Sequence, residues 1–184
     1  MSVIPVLETE RLILKAPTVE DAPAYYKYFA DYEVIKTMGD GIPYPVPEGS
    51  LENFLKNNII PRQGNKFWFW GIFLKEKPDE MIGSIEIWDN EDPHNQGFWI
   101  GKKFWGKGLM TEAVSAVNTY AFNELAFEKI VNYNAKGNIG SSRINKKLGA
   151  KLTGTAPSKY LDPAYTEDEI WELTKENWIK FKVV

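Results

Sequence analysis

The chain of 184 residues has no cysteine and a single histidine, His94. Without cysteine there can be no disulfide, no thiolate zinc site and no cysteine acyl-enzyme. Only His94 could serve a serine triad, and it lies in a polar loop, which is typical of a solvated surface side chain. Any acyl transfer is therefore expected to occur by direct attack of the acceptor on the acyl donor.

Excess positive charge and long apolar runs are also missing. The net charge of −3 argues against nucleic-acid binding, because phosphate contacts need a basic face, and it suits cationic substrates better. The longest apolar run, Phe67 to Leu74, is too short to span a bilayer, and the N-terminus does not resemble a signal peptide. We expect a cytoplasmic protein with one domain over residues 1–184 that binds neither membrane nor nucleic acid.

Residues 97–126 are the stretch around which we interpret the rest of the chain. They comprise an aromatic strand (Gly97 to Gly101), a glycine turn (Lys102 to Gly108) and a helix that begins near Leu109. The helix is predicted because apolar residues recur at three- and four-residue spacing. These residues are Leu109, Ala113, Val114, Ala116, Val117, Tyr120, Ala121 and Leu125.

The glycine turn is suited to an anion. Unpaired N–H groups in a first helical turn point outward, and Gly106 and Gly108 let a phosphate approach the backbone. A nucleotide P-loop would need Ser or Thr after Lys107, where this chain has Gly108, and a dinucleotide fingerprint would need glycine at Thr111. Glycines that serve tight packing alone are the remaining alternative.

The rest of the chain alternates strands and helices, which indicates an α/β fold. We predict a strand at 7–16, a helix at 19–31 capped by Thr18, a proline- and glycine-rich loop at 39–49 and a helix at 50–60. A hairpin follows at 67–74 and 81–88. After the central helix come a strand at 129–134, a helix at 138–148 and strands at 151–156 and 169–174.

Four stretches, taken in order, resemble the GCN5-related N-acetyltransferases (GNAT). They are LETERLIL near the start, WGKG with TEA in the centre, Asn138-x-x-Ser141-x-Arg143 followed by KLGA, and WELTKENW near the end. The closest resemblance is to the branch that includes the ribosomal-protein N-terminal alanine and serine acetyltransferases. It implies a single-domain GNAT fold, with a mixed central sheet splayed at the acetyl-CoA site and helices on both faces.

The resemblance also implies a cofactor site that needs no metal. The backbone of Trp99 and Ile100 would hold the pantetheine arm of acetyl-CoA, and Asn138 would contact the cofactor from the next helix. The pyrophosphate would lie on the turn formed by Trp105, Gly106, Lys107, Gly108, Leu109 and Met110. Two of these depart from the family motif, since Trp105 replaces Gln or Arg and Met110 replaces a small residue.

For catalysis the resemblance indicates a carboxylate on the central strands as general base, and Glu86 lies between Ile85 and Ile87 in such a strand. Side chains alternate between the two faces of a strand, which places Glu86 on the same face as Ser84 and Trp88 and opposite Ile85 and Ile87. The alternative is therefore that Glu86 points outward into solvent. Many members of the family use a tyrosine as the general acid at the position where this chain has Asn145. The closer branch has a serine near the sulfur, here Ser141, whose alternative role is hydrogen bonding in the first turn of its helix.

We therefore expect an enzyme that transfers acetyl from acetyl-CoA to a primary amine, with a protein N-terminus as the favoured acceptor. Small-molecule amines, such as polyamines, amino acids or antibiotic-like compounds, are the first alternative. A non-catalytic acyl-CoA-binding domain is the second, and a magnesium-dependent nucleotide hydrolase is the third. A homodimer is left open.

Overall fold

The computed structural model describes residues 4–182, in which eight strands form one sheet of order β1-β2-β3-β4-β5-β6-β8-β7. The strands are β1 (Leu7–Glu8), β2 (Leu12–Lys15), β3 (Phe67–Leu74), β4 (Lys77–Trp88), β5 (Gln96–Ile100), β6 (Lys129–Ala135), β7 (Lys151–Pro157) and β8 (Glu167–Thr174). The helices are α1 (Ala22–Phe29), α2 (Tyr32–Ile35), α3 (Ser50–Phe54), α4 (Leu109–Asn123), α5 (Ile139–Lys147) and α6 (Lys175–Lys182). A π-helical turn (Leu55–Ile59) continues α3, and 3-10 turns occupy Val19–Asp21, Ile60–Arg62 and Lys102–Phe104.

The sheet is mixed and splayed at its centre. Every neighbouring pair of named strands is antiparallel except β5 and β6, which are parallel because α4 carries the chain back across the sheet. β5 and β6 share one Cα pair, Gln96 with Asn132, and beyond it the rest of β5 is unpaired on this side. The predicted mixed, splayed sheet is confirmed.

Helices cover both faces of the sheet. On one face Trp99 stacks on Tyr25 of α1, with ring centroids 5.1 Å apart and an interplanar angle of 19°. On the other face Trp70 meets Tyr120 of α4 edge to face at 5.8 Å. Because both faces are buried, β3 has an almost continuous run of apolar residues instead of an alternating pattern.

The predicted and observed elements differ at several places, among them α2, which was not predicted, and β4, which begins at Lys77 and not at Met81. The strand at 7–16 is a short hairpin, because the N–H of Thr9 donates to the carbonyl of Leu12 at 3.0 Å and reverses the chain. The tail after β8 forms α6, which was not predicted, and Trp178 packs there against Phe122 of α4. No helix within residues 4–182 is long and apolar enough to cross a membrane.

Candidate active site

The glycine turn has the backbone of an anion cradle. Gly106 and Gly108 have φ angles of 73° and 76°, in the left-handed region where a side chain is unfavourable. A Cβ added to Gly106 would meet no atom within 4 Å, so the surface above this residue is open. Gly108 is the N-cap of α4 and offers no side chain, so no cap occupies the first N–H groups of the helix. The residues present therefore fit a pyrophosphate.

The turn is held by a contact that the sequence did not predict. Arg11 forms an ion pair with Glu112 in the first turn of α4, with Nη2 2.7 Å from Oε2, and Nη1 donates to the carbonyl of Lys107 at 2.9 Å. Burial alone would raise the pKa of Glu112. Hydrogen bonds from the Thr9 hydroxyl and from the Arg11 backbone and guanidinium outweigh it and lower this pKa.

The free edge of β5 opens beside the turn. The N–H of Gly101 donates to Ile82 of β4, so by alternation the backbone of Trp99 also faces β4, and that of Phe98 and Ile100 faces β6. Within the described residues the N–H of Ile100 is therefore unpaired, whereas the backbone of Trp99 is turned toward β4. The exposed Trp105 donates its indole N–H to the Ile100 carbonyl at 2.8 Å and joins this edge to the turn.

Asn138 and Ser141 lie at the start of α5. Asn138 is the N-cap, since its side-chain oxygen accepts the Ser141 N–H at 3.2 Å while its amide nitrogen donates to the Thr37 hydroxyl at 3.1 Å. Both ends of the Asn138 amide are therefore occupied by protein. The Ser141 hydroxyl takes no part in the cap and forms no hydrogen bond within the described residues, so it is available to a ligand.

Asn145, at the position of the family tyrosine, lies in a buried network of amides. It donates to the side-chain oxygens of Asn132 and Asn134 at 3.1 and 3.0 Å. Asn132 donates to the Gln96 carbonyl, and Gln96 donates to Asn118 of α4. These hydrogen bonds fasten α4 and α5 to the point where β5 and β6 part. The amide nitrogen of Asn145 is therefore used within this network, and an asparagine has no acidic proton to give to a departing thiolate.

Glu86 projects from β4 on the face covered by α1, opposite Phe69 and Gly97. Its Oε1 lies 3.2 Å from the position that a Cβ of Gly97 would occupy, so the carboxylate extends over β5. The side chain is half-buried and forms no hydrogen bond or ion pair within residues 4–182. Burial raises the pKa of Glu86 to about 7, against the opposing effect of the Arg62 charge. The alternative of a freely solvated Glu86 is wrong, because α1 covers this face.

Aromatic side chains surround Glu86 on two sides. Tyr25 of α1 is buried, and this burial raises its pKa well above the usual range, with a further contribution from the Glu86 charge. The indole N–H of Trp99 acts in the opposite direction on the Tyr25 pKa, although it lies outside hydrogen-bond geometry. Trp88 borders the site on the other side, with a ring atom 3.8 Å from the position of a Gly97 Cβ.

His94 packs against the aromatic side chains near Glu86 and is not the solvated residue expected from the sequence. Its ring stacks on Tyr133 at 4.9 Å and meets Trp88 edge to face at 5.2 Å. Its Nδ1 is buried without a hydrogen-bond partner in the described part of the chain. The sequence missed His94 because it lies in a loop, where no periodicity indicates burial.

No group of three or more His, Asp or Glu side chains in residues 4–182 is arranged to hold a metal ion.

A splayed mixed sheet with a glycine turn leading into a helix at the splay defines a class of acyltransferases, and comparison with known proteins identifies it. The family model for the acetyltransferase (GNAT) domain matches residues 11–151. The N-acetyltransferase p20 of Bacillus licheniformis, itself uncharacterised, is 32% identical over 67% of this chain and 70% of its own length. The chain belongs to the GNAT family and is an N-acetyltransferase.

Two further relatives cover nearly the whole chain. The ribosomal protein uS5-alanine N-acetyltransferase of Escherichia coli is 26% identical over 94% of this chain and 92% of its own length. RimL, a ribosomal L7/L12 α-N-protein acetyltransferase solved in complex with coenzyme A, superposes with a TM-score of 0.78 at 18% identity, over 92% of this chain and 98% of RimL. At that identity the superposition establishes a common fold.

Proposed function

We propose that this protein acetylates the α-amine of a protein N-terminus, with acetyl-CoA as donor and Glu86 as general base. One observation carries the proposal. A half-buried carboxylate without a protein partner extends over β5, the strand whose opposite edge is free at the splay. A carboxylate placed there can take the proton of an amine that approaches from the α1 face.

The expected donor, acetyl-CoA, supplies an activated thioester, and the protein supplies the binding site for it. The N–H groups at the start of α4, with Gly106 and Gly108, are proposed to hold the pyrophosphate. The backbone of Phe98 and the N–H of Ile100 are proposed to hold the pantetheine arm, since Trp105 already occupies the Ile100 carbonyl. Lys102, Lys103 and Lys107 surround this turn and are exposed, which favours an anionic ligand. The available hydroxyl of Ser141 is proposed to donate to the sulfur as it departs.

The lower pKa of an α-amine makes it easier for Glu86 to deprotonate than a lysine side chain. An α-ammonium group has a pKa near 8 and a lysine near 10.4, whereas Glu86 has a pKa of about 7. Proton transfer to Glu86 is therefore uphill by roughly one unit for the α-amine and by about three for lysine, at about 1.4 kcal/mol per unit. The E. coli relative, named for the alanine of ribosomal protein uS5, supports the same acceptor class.

The test is a screen for free-thiol release from acetyl-CoA. Peptides with a free α-amine should be acetylated, and the same peptides with a blocked N-terminus and an internal lysine should not. Polyamines serve as the competing acceptors. Turnover with polyamines and none with any free N-terminus would refute the proposal.

A further inference from the structure

Arg62 is an exposed cation at the border of the Glu86 site. Its guanidinium lies over the ring of Phe67, with Cζ 4.0 Å from the ring centroid. Within the described residues, 4–182, it forms no ion pair or hydrogen bond, and it is exposed. The cation–π contact holds the charge in place and leaves its N–H donors free.

Arg62 lies on the same face of the sheet as Glu86. Phe67 pairs with Trp88 and Phe69 pairs with Glu86, and directly opposed residues of antiparallel strands share a face. Phe67 and Glu86 are thus two residues apart along the strands and one strand apart across them. This register gives a separation of roughly 8 Å between their Cα atoms. Among the described residues, Arg62 is also the charged group that acts on the pKa of Glu86.

We propose that Arg62 binds an anionic group that the acceptor carries close to its reacting amine. The proposal rests on the proposed function and narrows it to N-terminal segments with an acidic residue near the α-amine. Because the Arg62 guanidinium lies over the Phe67 ring, a peptide with its amine at Glu86 has to span about the Phe67–Glu86 separation to reach it. An extended peptide advances about 3.3–3.6 Å per residue, which places the acidic side chain on the second or third residue.

The same geometry disfavours a polycation. A polyamine bound with one amine at Glu86 would place its next ammonium near the guanidinium, where like charges repel. The net charge of −3 would by itself repel an acidic peptide, so a local cation is needed to reverse the preference. The inference therefore departs from the sequence-based expectation of cationic acceptors for the part of the acceptor beyond the amine.

The experiment compares three acceptor peptides that share a free N-terminal residue and differ at residues two and three, which are acidic, neutral or basic. For the parent protein we expect kcat/KM to fall in that order, by up to roughly fivefold per step for an exposed charge pair. Arg62→Ala should flatten the series, and Arg62→Glu should reverse it. An Arg62→Glu variant that keeps the parental order would overturn the inference.

Lys66→Gln is the matched control, because Lys66 is an exposed cation in the same connection between α3 and β3, and its nearest acid is Asp89 at 4.0 Å. It should keep the parental order. Acetylation of any of the three peptides supports the proposed function whatever the order, so the two failures are distinguishable.

The pH profile gives a second measurement that loss of structure would not mimic. Removing the Arg62 charge removes an influence that lowers the Glu86 pKa, so the acidic limb of kcat/KM should move to higher pH in Arg62→Ala. The limb should stay in place in Lys66→Gln. An unmoved limb in Arg62→Ala would count against the placement of Arg62 beside the base.

Discussion

Arg11 and Glu112 lie 101 residues apart in the chain and form a direct ion pair, with Nε 2.7 Å from Oε2. Glu112 lies in the first turn of α4, the end of the helix proposed to receive a pyrophosphate. An uncompensated carboxylate at that end would repel the ligand, and Arg11 neutralises it while also bonding to the carbonyl of Lys107. The pair thus allows an acidic residue to lie within an anion site.

A double-mutant cycle tests this pairing. Arg11→Met should weaken coenzyme A binding by about tenfold or more, because it leaves Glu112 unpaired next to the phosphates. Glu112→Gln alone should have a smaller effect. The double variant should recover most of the loss in calorimetric affinity, and strictly additive effects would show that the pair serves stability alone.

Gly108 offers a sharper test of the turn itself. In the parent, coenzyme A at a hundredfold excess over Kd should add about 2.7 kcal/mol to the free energy of unfolding without added metal. Gly108→Val should abolish this gain, because the side chain would fill the phosphate seat and strain a residue at φ 76°. ATP with magnesium should give no gain in either protein.

Gly49→Val is the control for backbone strain. Gly49 is the N-cap of α3, has the same φ of 76° and, like Gly106, would give a Cβ no neighbour within 4 Å. Both valine variants should lose similar stability, but only Gly108→Val should lose coenzyme A binding. Retained binding in Gly108→Val would assign the glycines of the turn to packing.

Glu86→Gln addresses the proposed base. Turnover should fall by about a hundredfold to ten-thousandfold, and the acidic limb of the pH profile, expected near pH 7, should flatten. Whereas turnover should fall, the free energy of unfolding of Glu86→Gln at neutral pH should exceed that of the parent. Because burial raises the folded-state pKa above 4.5, the parent loses stability as the pH rises from about 4.5 to 7, and the glutamine variant does not.

Thermal unfolding should therefore show Glu86→Gln above its parent at pH 8 and close to it at pH 4. Glu76→Gln, at an exposed position in the turn between β3 and β4, should change neither rate nor stability. A parental rate with an intact acidic limb in Glu86→Gln would move the base to another group or to water.

The sequence predicted the order of the main elements because their periodicities are strong and glycines mark some of their ends, as Gly108 does before α4 and Gly149 after α5. It could not predict contacts between distant segments. From the sequence, Arg11 is predicted to be an exposed residue of a strand. Its contact with Glu112 is seen only in the folded structure. The burial of Glu86 was equally hidden, because alternation with Ile85 and Ile87 does not show that α1 covers the second face.

Glu80 should govern part of the acid stability. It accepts hydrogen bonds from Lys27, first in importance, then from Lys77 and Tyr28, and together they lower its pKa to about 2. The folded pKa is thus below the unfolded value of 4.5, so the stabilisation is present above about pH 4.5 and is lost as the pH falls toward 2. Glu80→Gln should be less stable at pH 7, and its deficit should vanish near pH 2. A deficit independent of pH would show that the hydrogen bonds, and not the charge, are responsible.

Ser141 is proposed to act on the departing sulfur, and the structure separates that role from helix capping. Asn138 supplies the cap, and Ser141 contributes only its backbone N–H, which Ser141→Ala retains. Ser141→Ala should therefore keep its melting temperature and its coenzyme A affinity while kcat and kcat/KM fall together, because a contact that strengthens in the transition state contributes little to binding of the ground state.

Asn138→Ala is the matched variant for the capping role at the same helix end. It should lose roughly 0.5–2 kcal/mol of stability, the usual contribution of an N-cap. Asn145→Tyr should not rescue Ser141→Ala, because Asn145 is 5% exposed and a tyrosine there would break its hydrogen bonds to Asn132 and Asn134. If Ser141→Ala turns over at the parental rate, the hydroxyl has no role in the reaction. Tyr25 would then be the next group to test, since it is the tyrosine whose pKa responds to the charge of Glu86.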